Sequence, residues 1–166
     1  MRMELIQPFI NAADAVLAEC IQCQTRIGDV SMEADPYRRR GVAAIVKISG
    51  DIEGRVIFDV ENATALHFAA AMTGEPVTAS DQIVRETICE LANTVIGNAV
   101  TTLNDQGFRF KVQPPQVHDR EFGLKSTHDT EALVMSFDTP GGKVFMNIAM
   151  RYNRRRKGEA AVAAAN

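Results

Sequence analysis

One stretch constrains this chain more than any other. Residues 83–103, IVRETICELANTVIGNAVTTL, read as a single long helix, about 81–104 at its widest. At about 100° per residue, Val84, Ile88, Leu91, Ala92, Val95, Ala99 and Thr102 share one broad stripe, the width of a core-facing surface. Glu86, Glu90, Asn93 and Gly97 fall on the opposite side, in a row about 60° wide. Charge turned outward is usually a solvated face, and that is one reading of the row. Two details point to a working surface instead. Asn and Gly are poor mid-helix residues, and both lie on this one row. Gly97 also leaves a flat gap beside Asn93, where another molecule can approach closely.

The rest of the chain supplies the layer that such a helix packs on. Residues 4–22 predict a first helix, with Pro8 in its opening turn and Phe9, Val16, Leu17, Cys20 and Ile21 at helical spacing. Its outward residues, Asn11, Asp14 and Gln22, repeat no Glu-x-x-Asn pattern, so no chemistry is assigned to it. A strand is expected over 25–33, with Ile27, Val30 and Met32 alternating imperfectly before Asp35-Pro36 breaks the pattern. Residues 41–49 and 55–60 form a hairpin around a Gly50-to-Gly54 turn. A helix over 61–72 follows, with Asn62 as N-cap and Gly74 as its stop. Ser80 and Asp81 are N-cap candidates for the long helix. A strand over 108–112 ends at the rigid Gln113-Pro114-Pro115-Gln116 segment. A second hairpin joins 131–138 to 142–152 through Thr139-Pro140-Gly141. Three helices and five or six strands in this order predict an α+β fold, a largely antiparallel β-sheet with helices packed on it. One domain is expected over 1–153, and 154–166 reads as a basic, Ala-rich, frayed tail.

Several function classes lose support. A net charge of −3 argues against general nucleic-acid binding. Phe108 to Val112, FRFKV, alternates aromatic and basic residues, but as a strand with one wet face rather than a stacking platform. Arg38-Arg39-Arg40 reads as a solvated loop. No apolar run reaches membrane-spanning length and no secretory core opens the chain, so a cytoplasmic protein without a membrane segment is expected. Cys20 and Cys23 are formally C-x-x-C, yet they lie near a helix end rather than a helix start, and no further zinc ligands are suitably spaced. With Cys89 they read as structural thiols. His67, His118 and His128 are scattered. No phosphate-cradling glycine loop, Ser-His-Asp grouping or metal cluster is in view.

Glu86-x-x-x-Glu90-x-x-Asn93-x-x-x-Gly97-Asn98, followed by Pro114 or Pro115, resembles the signature of the CheC/CheX/FliY family of CheY-phosphate phosphatases. Pro8-Phe9-Ile10 and the single signature helix are similar to the CheX branch. The resemblance implies hydrolysis of an aspartyl phosphate on a CheY-like receiver domain. Asn93 would orient the attacking water and Glu90 would pair with the receiver's lysine, both inserted into the partner's site. Glu86 would be a secondary docking residue, and Gly97 would give the receiver room. No cofactor of the chain's own is implied; Mg²⁺ belongs to the receiver. Asn98 is expected to bond backbone or a neighbouring loop. With no second Glu-x-x-Asn in the first helix, one site per chain follows. Members of this branch can dimerise edge to edge, which makes Gly142 to Tyr152, or a strand beside it, a candidate homodimer interface. A receiver-binding adaptor without catalysis is the alternative, and a structural flagellar-switch component is a weaker one.

Overall fold

The computed structural model describes residues 3–22, 24–33, 37–78, 82–118 and 131–153. The Asp35-Pro36 break, Ser80, Asp81, Cys23, His128 and the tail lie outside the described residues. Helices α1 (Met3–Ile21), α2 (Asn62–Thr73) and α3 (Gln82–Asp105) pack with strands β1 (Arg26–Glu33), β2 (Val42–Gly50), β3 (Ile52–Val60), β4 (Phe110–Val112), β5 (Gln116–His118), β6 (Ala132–Thr139) and β7 (Gly142–Tyr152). Every strand pairing is antiparallel, in the order β1-β6-β7-β3-β2-β4, with β5 also on β2. This is the expected α+β architecture, with one strand more than anticipated. That strand is β5, which resumes pairing with β2 after Pro114-Pro115 interrupts it. Pro lacks the N–H a ladder needs, so an edge is where such a break is tolerated.

The two hairpins meet in the middle of the sheet, where β3 and β7 pair from Ile52↔Tyr152 to Val60↔Val144. Strand period then puts Val56, Phe58, Val144, Met146 and Ile148 on one face, in a single core with Phe9, Leu17, Phe68, Ile88 and Leu91 of the helices. The expected dimer edge is therefore corrected. Gly142–Tyr152 is a central strand, and its neighbours β3 and β6 are internal too; the described edges are β1 and β4/β5. The hydrophobic content of β7 has the same cause, since Val144 to Met150 are all buried.

Local corrections have local reasons. Gly54 is not part of the turn but lies in β3 at φ +149, where a Cβ would sit 1.9 Å from the Ala149 carbonyl oxygen of β7. Only glycine allows that approach. Pro8 is the sixth residue of α1 rather than a member of its opening turn. Its ring leaves the helix one hydrogen bond short, and its buried position supplies packing in return. Helix α2 begins at Asn62 rather than at residue 61, and its N-cap is Glu61 rather than Asn62, without a side-chain capping bond; Gly74 ends it at φ 78. The arginine run is structured rather than simply solvated. Buried Asp59 accepts from Arg40 N (2.6 Å), Gly41 N (3.0 Å) and Tyr37 Oη (2.8 Å). The Arg40 guanidinium lies 4.0 Å from the Phe145 ring centroid.

Candidate functional site

Helix α3 is held from behind. Val84, Ile88, Leu91, Val95 and Leu103 are each at most 2% exposed. Burying each large apolar side chain contributes about 1.5–3 kcal/mol, so the helix is fixed in rotation as well as in place. Glu86, Glu90, Asn93 and Gly97 all emerge exposed on the other side, as the helical phase predicts. Thr102 departs from that phase and is exposed, whereas Thr87 and Ile96 are buried.

The row is polar and unengaged. Among the described residues, the side chains of Glu86, Glu90 and Asn93 make no hydrogen bond or ion pair. The nearby hydroxyls, by contrast, turn back on the helix. Thr94 donates to the Glu90 carbonyl (2.9 Å), Thr101 to that of Gly97 (2.9 Å) and Thr102 to that of Asn98 (3.2 Å). Among the described residues, the Asn98 side chain makes no bond to backbone or to a loop, contrary to expectation, and it too is exposed. A Cβ at Gly97 would meet no atom within 4 Å, so nothing inside the described fold requires glycine there. Glycine in a helix interior costs about 0.5–1 kcal/mol relative to alanine.

Glu86, Glu90 and Asn93 of the row form one wall of a shallow depression of about 490 Å³. Arg85 and Cys89 line it from α3, and Val117 closes it from β5. Cys89 was read from sequence as a structural thiol, and Arg85 and Val117 were not singled out. Val117 lies in a three-residue strand, too short to leave a periodic signal. On the α1 side, burial pushes the Cys20 thiol above its usual range, and the carboxylates of Glu19 and then Glu90 add to the effect. The C-terminal end of α1 thus lies within the field of Glu90. Cys20 and Cys89 are free, half-buried thiols. Among the described residues, no group of three or more His, Cys, Asp or Glu could hold a metal ion. No described helix is long and apolar enough to cross a membrane. The arrangement offers carboxylate charge, one donor–acceptor amide and a gap, all facing outward.

The family described as Chemotaxis phosphatase CheX matches residues 42–138, more than half the chain and all of α3. The chain belongs to the CheX family. A curated CheX relative, the CheY-P phosphatase CheX of Thermotoga maritima, is 23% identical over 128 residues, which cover 76% of this chain and 83% of that one. Among solved structures, a CheC-like superfamily protein from Shewanella sp. PV-4 superposes with TM-score 0.82 at 23% identity, covering 91% of this chain and 99% of that chain. The CheX-CheY-BeF3-Mg²⁺ complex from Borrelia burgdorferi matches at 31% identity and TM-score 0.67, covering 90% of this chain and 99% of that chain. The CheX match includes Glu86, Glu90, Asn93 and Gly97.

Proposed function

We propose that this chain is a phosphatase for the aspartyl phosphate of a CheY-like receiver domain. Family membership supports the coarse activity, and the similarity to a CheX solved with CheY supports a receiver as the partner. One observation carries the assignment of roles. Glu90 and Asn93 stand exposed, and unengaged among the described residues, on a helix fixed from behind, ready to enter another protein's site.

The reaction breaks the bond between phosphorus and the aspartyl oxygen and forms one between phosphorus and a water oxygen. It yields the receiver's aspartate carboxylate and inorganic phosphate, and the water's surplus proton leaves with the phosphate or solvent. Asn93 holds the water in line through an amide that both donates and accepts. A carboxamide suits this place because it brings no negative charge beside the phosphoryl group. Positioning of this kind is the usual protein contribution to phosphoryl transfer. Glu90 pairs with the receiver's lysine and fixes register; Glu86, one turn earlier, is a secondary docking residue, and Gly97 leaves room for the receiver surface. The lysine and Mg²⁺ are the receiver's own.

A homodimer through sheet edges belongs to the same reading, and β1 is the edge that supports it. Ile27, Val30 and Met32 there are 51%, 55% and 50% exposed. The test of function is phosphate release from a panel of phosphorylated receivers mixed with catalytic amounts of the chain. Acceleration with one receiver is expected. A complex that forms without acceleration would favour the adaptor role instead.

A further inference from the structure

Among the described residues, six large apolar side chains are left exposed: three on the β1 edge, one at the start of α1, one on β4, and Ile83. Ile83 is the second residue of α3 and is 44% exposed. The fold does not ask for isoleucine here. A β-branched side chain loses rotamer freedom in a helix, so Leu or Ala would serve the helix better. Nearly half of the residue also stays in water. A single apolar residue on a surface is ordinary, so its meaning depends on its place.

That place is the face of the polar row. Glu90 follows Ile83 by seven residues, so the two lie about 20° apart around the helix and about 10 Å apart along it. Glu86 lies between them, one turn on from Ile83. Ile88, from the buried stripe, is about 140° away. The depression beside the row runs in the same direction. Its lining reaches from Asn93 back through Glu90, Cys89 and Glu86 to Gln82, the first residue of α3. A partner that fills it alongside Asn93 is therefore brought to the first turn of the helix, where Ile83 stands.

Chemistry selects the occupant. Glu86 and Glu90 call for cations, and an exposed aliphatic side chain calls for an apolar neighbour. Specific interfaces combine the two, with apolar anchors and charged groups around them. A nucleic acid would be repelled by the carboxylates. A lipid surface needs a broad apolar face, which one isoleucine does not make. A folded domain that presents a cation and an apolar side chain side by side meets both demands. We infer that Ile83 is the apolar anchor of the receiver interface, set against a receiver side chain about 10 Å from the lysine that pairs with Glu90. This rests on the phosphatase reading for the identity of the partner. Ile83 is a positioning residue, about 15 Å along the helix from Asn93 and so away from the reacting atoms.

The test uses the full chain and a phosphorylated receiver, with KM and kcat from phosphate release and Kd from equilibrium binding. Ile83→Gln keeps helix propensity and removes the apolar surface. It should raise KM and Kd about three- to tenfold, the worth of burying the exposed part of one isoleucine, with kcat within about twofold. Ile83→Leu should bring both back to near wild type, because it returns the apolar surface. Thermal melting should stay near wild type in both, which separates docking from folding. Unchanged KM and Kd in Ile83→Gln, or a fall in kcat alone, overturns the anchor. So does a change of oligomeric state in place of a change in Kd. Asn93→Ala in the same series separates the two claims. If it loses turnover while Ile83→Gln binds as wild type does, the phosphatase reading stands and the anchor falls. If it turns over at the wild-type rate while Ile83→Gln binds weakly, the role of Asn93 falls and the anchor stands.

Discussion

Two exposed residues on α3, Asn93 and Gly97, stand in the same relation to the fold. Asn93 is a poor helix former whose side chain makes no hydrogen bond among the described residues, and Gly97 is a poorer one with empty space where its side chain would be. Both cost the helix something that the described contacts do not return. Gly97→Ala should therefore stabilise the protein by about 0.5–1 kcal/mol, read as a higher midpoint in chemical denaturation. Gly97→Trp should fold equally well and raise KM for the receiver, because the gap is then closed. Loss of stability on Gly97→Ala would show a packing role that the structure does not contain. Asp59 is the contrasting case, a buried carboxylate with three donors. Its neighbour Tyr37 has its hydroxyl pushed well above the usual range, by burial first and then by the Asp59 charge and hydrogen bond. Because the folded-state value is the raised one, the stability it confers is full below about pH 10 and is lost as pH climbs past the unfolded value. Tyr37→Phe should cost about 1.5–3 kcal/mol at neutral pH, since it removes a bond to a charged group. It should also flatten the alkaline part of a stability–pH curve.

Elements with a strong period were legible in the sequence, and those fixed by tertiary contact were not. The long helix was readable to within a residue or two because its apolar stripe repeats over about five turns; it runs Gln82–Asp105. The hairpins were readable from glycine and proline at their turns. Strand β5 was not, since three residues carry no period. The central position of β7 was hidden as well, because pattern reveals a strand but not its neighbours. Within the site, Glu86, Glu90, Asn93 and Gly97 were legible because all lie on one helix. Val117 comes from another element, and Thr102, which phase alone places on the buried stripe, is exposed near the C-terminal end of α3. At this scale the β1 edge makes a prediction. It carries a bulge, where Asp29 N donates to Ser136 Oγ at 2.9 Å, and half-exposed Ile27, Val30 and Met32. Sedimentation should find a dimer in the wild type and a folded monomer for Val30→Lys. A dimer indifferent to that substitution would move the contact elsewhere.

For the whole molecule, the antiparallel sheet and its helix layer work as a mount. The sheet buries one face of α3, and α1 flanks it, so that the opposite face is the one a partner meets. What that face offers is recognition and positioning: carboxylates to pair with cations and an amide to hold a water. On the proposed reading, the phosphoryl group, its metal and its lysine all arrive with the receiver, and this chain completes the site. The measurement that bears on this most directly is the rate of phosphate release from a saturating phosphorylated receiver with wild type and with Asn93→Ala. Exposed Asn93 is not needed for folding, so the variant should retain its melting temperature and receiver binding. It should lose turnover by on the order of 10²-fold or more, as expected when a positioning group is removed. A folded, receiver-binding Asn93→Ala protein that releases phosphate at the wild-type rate would contradict the account.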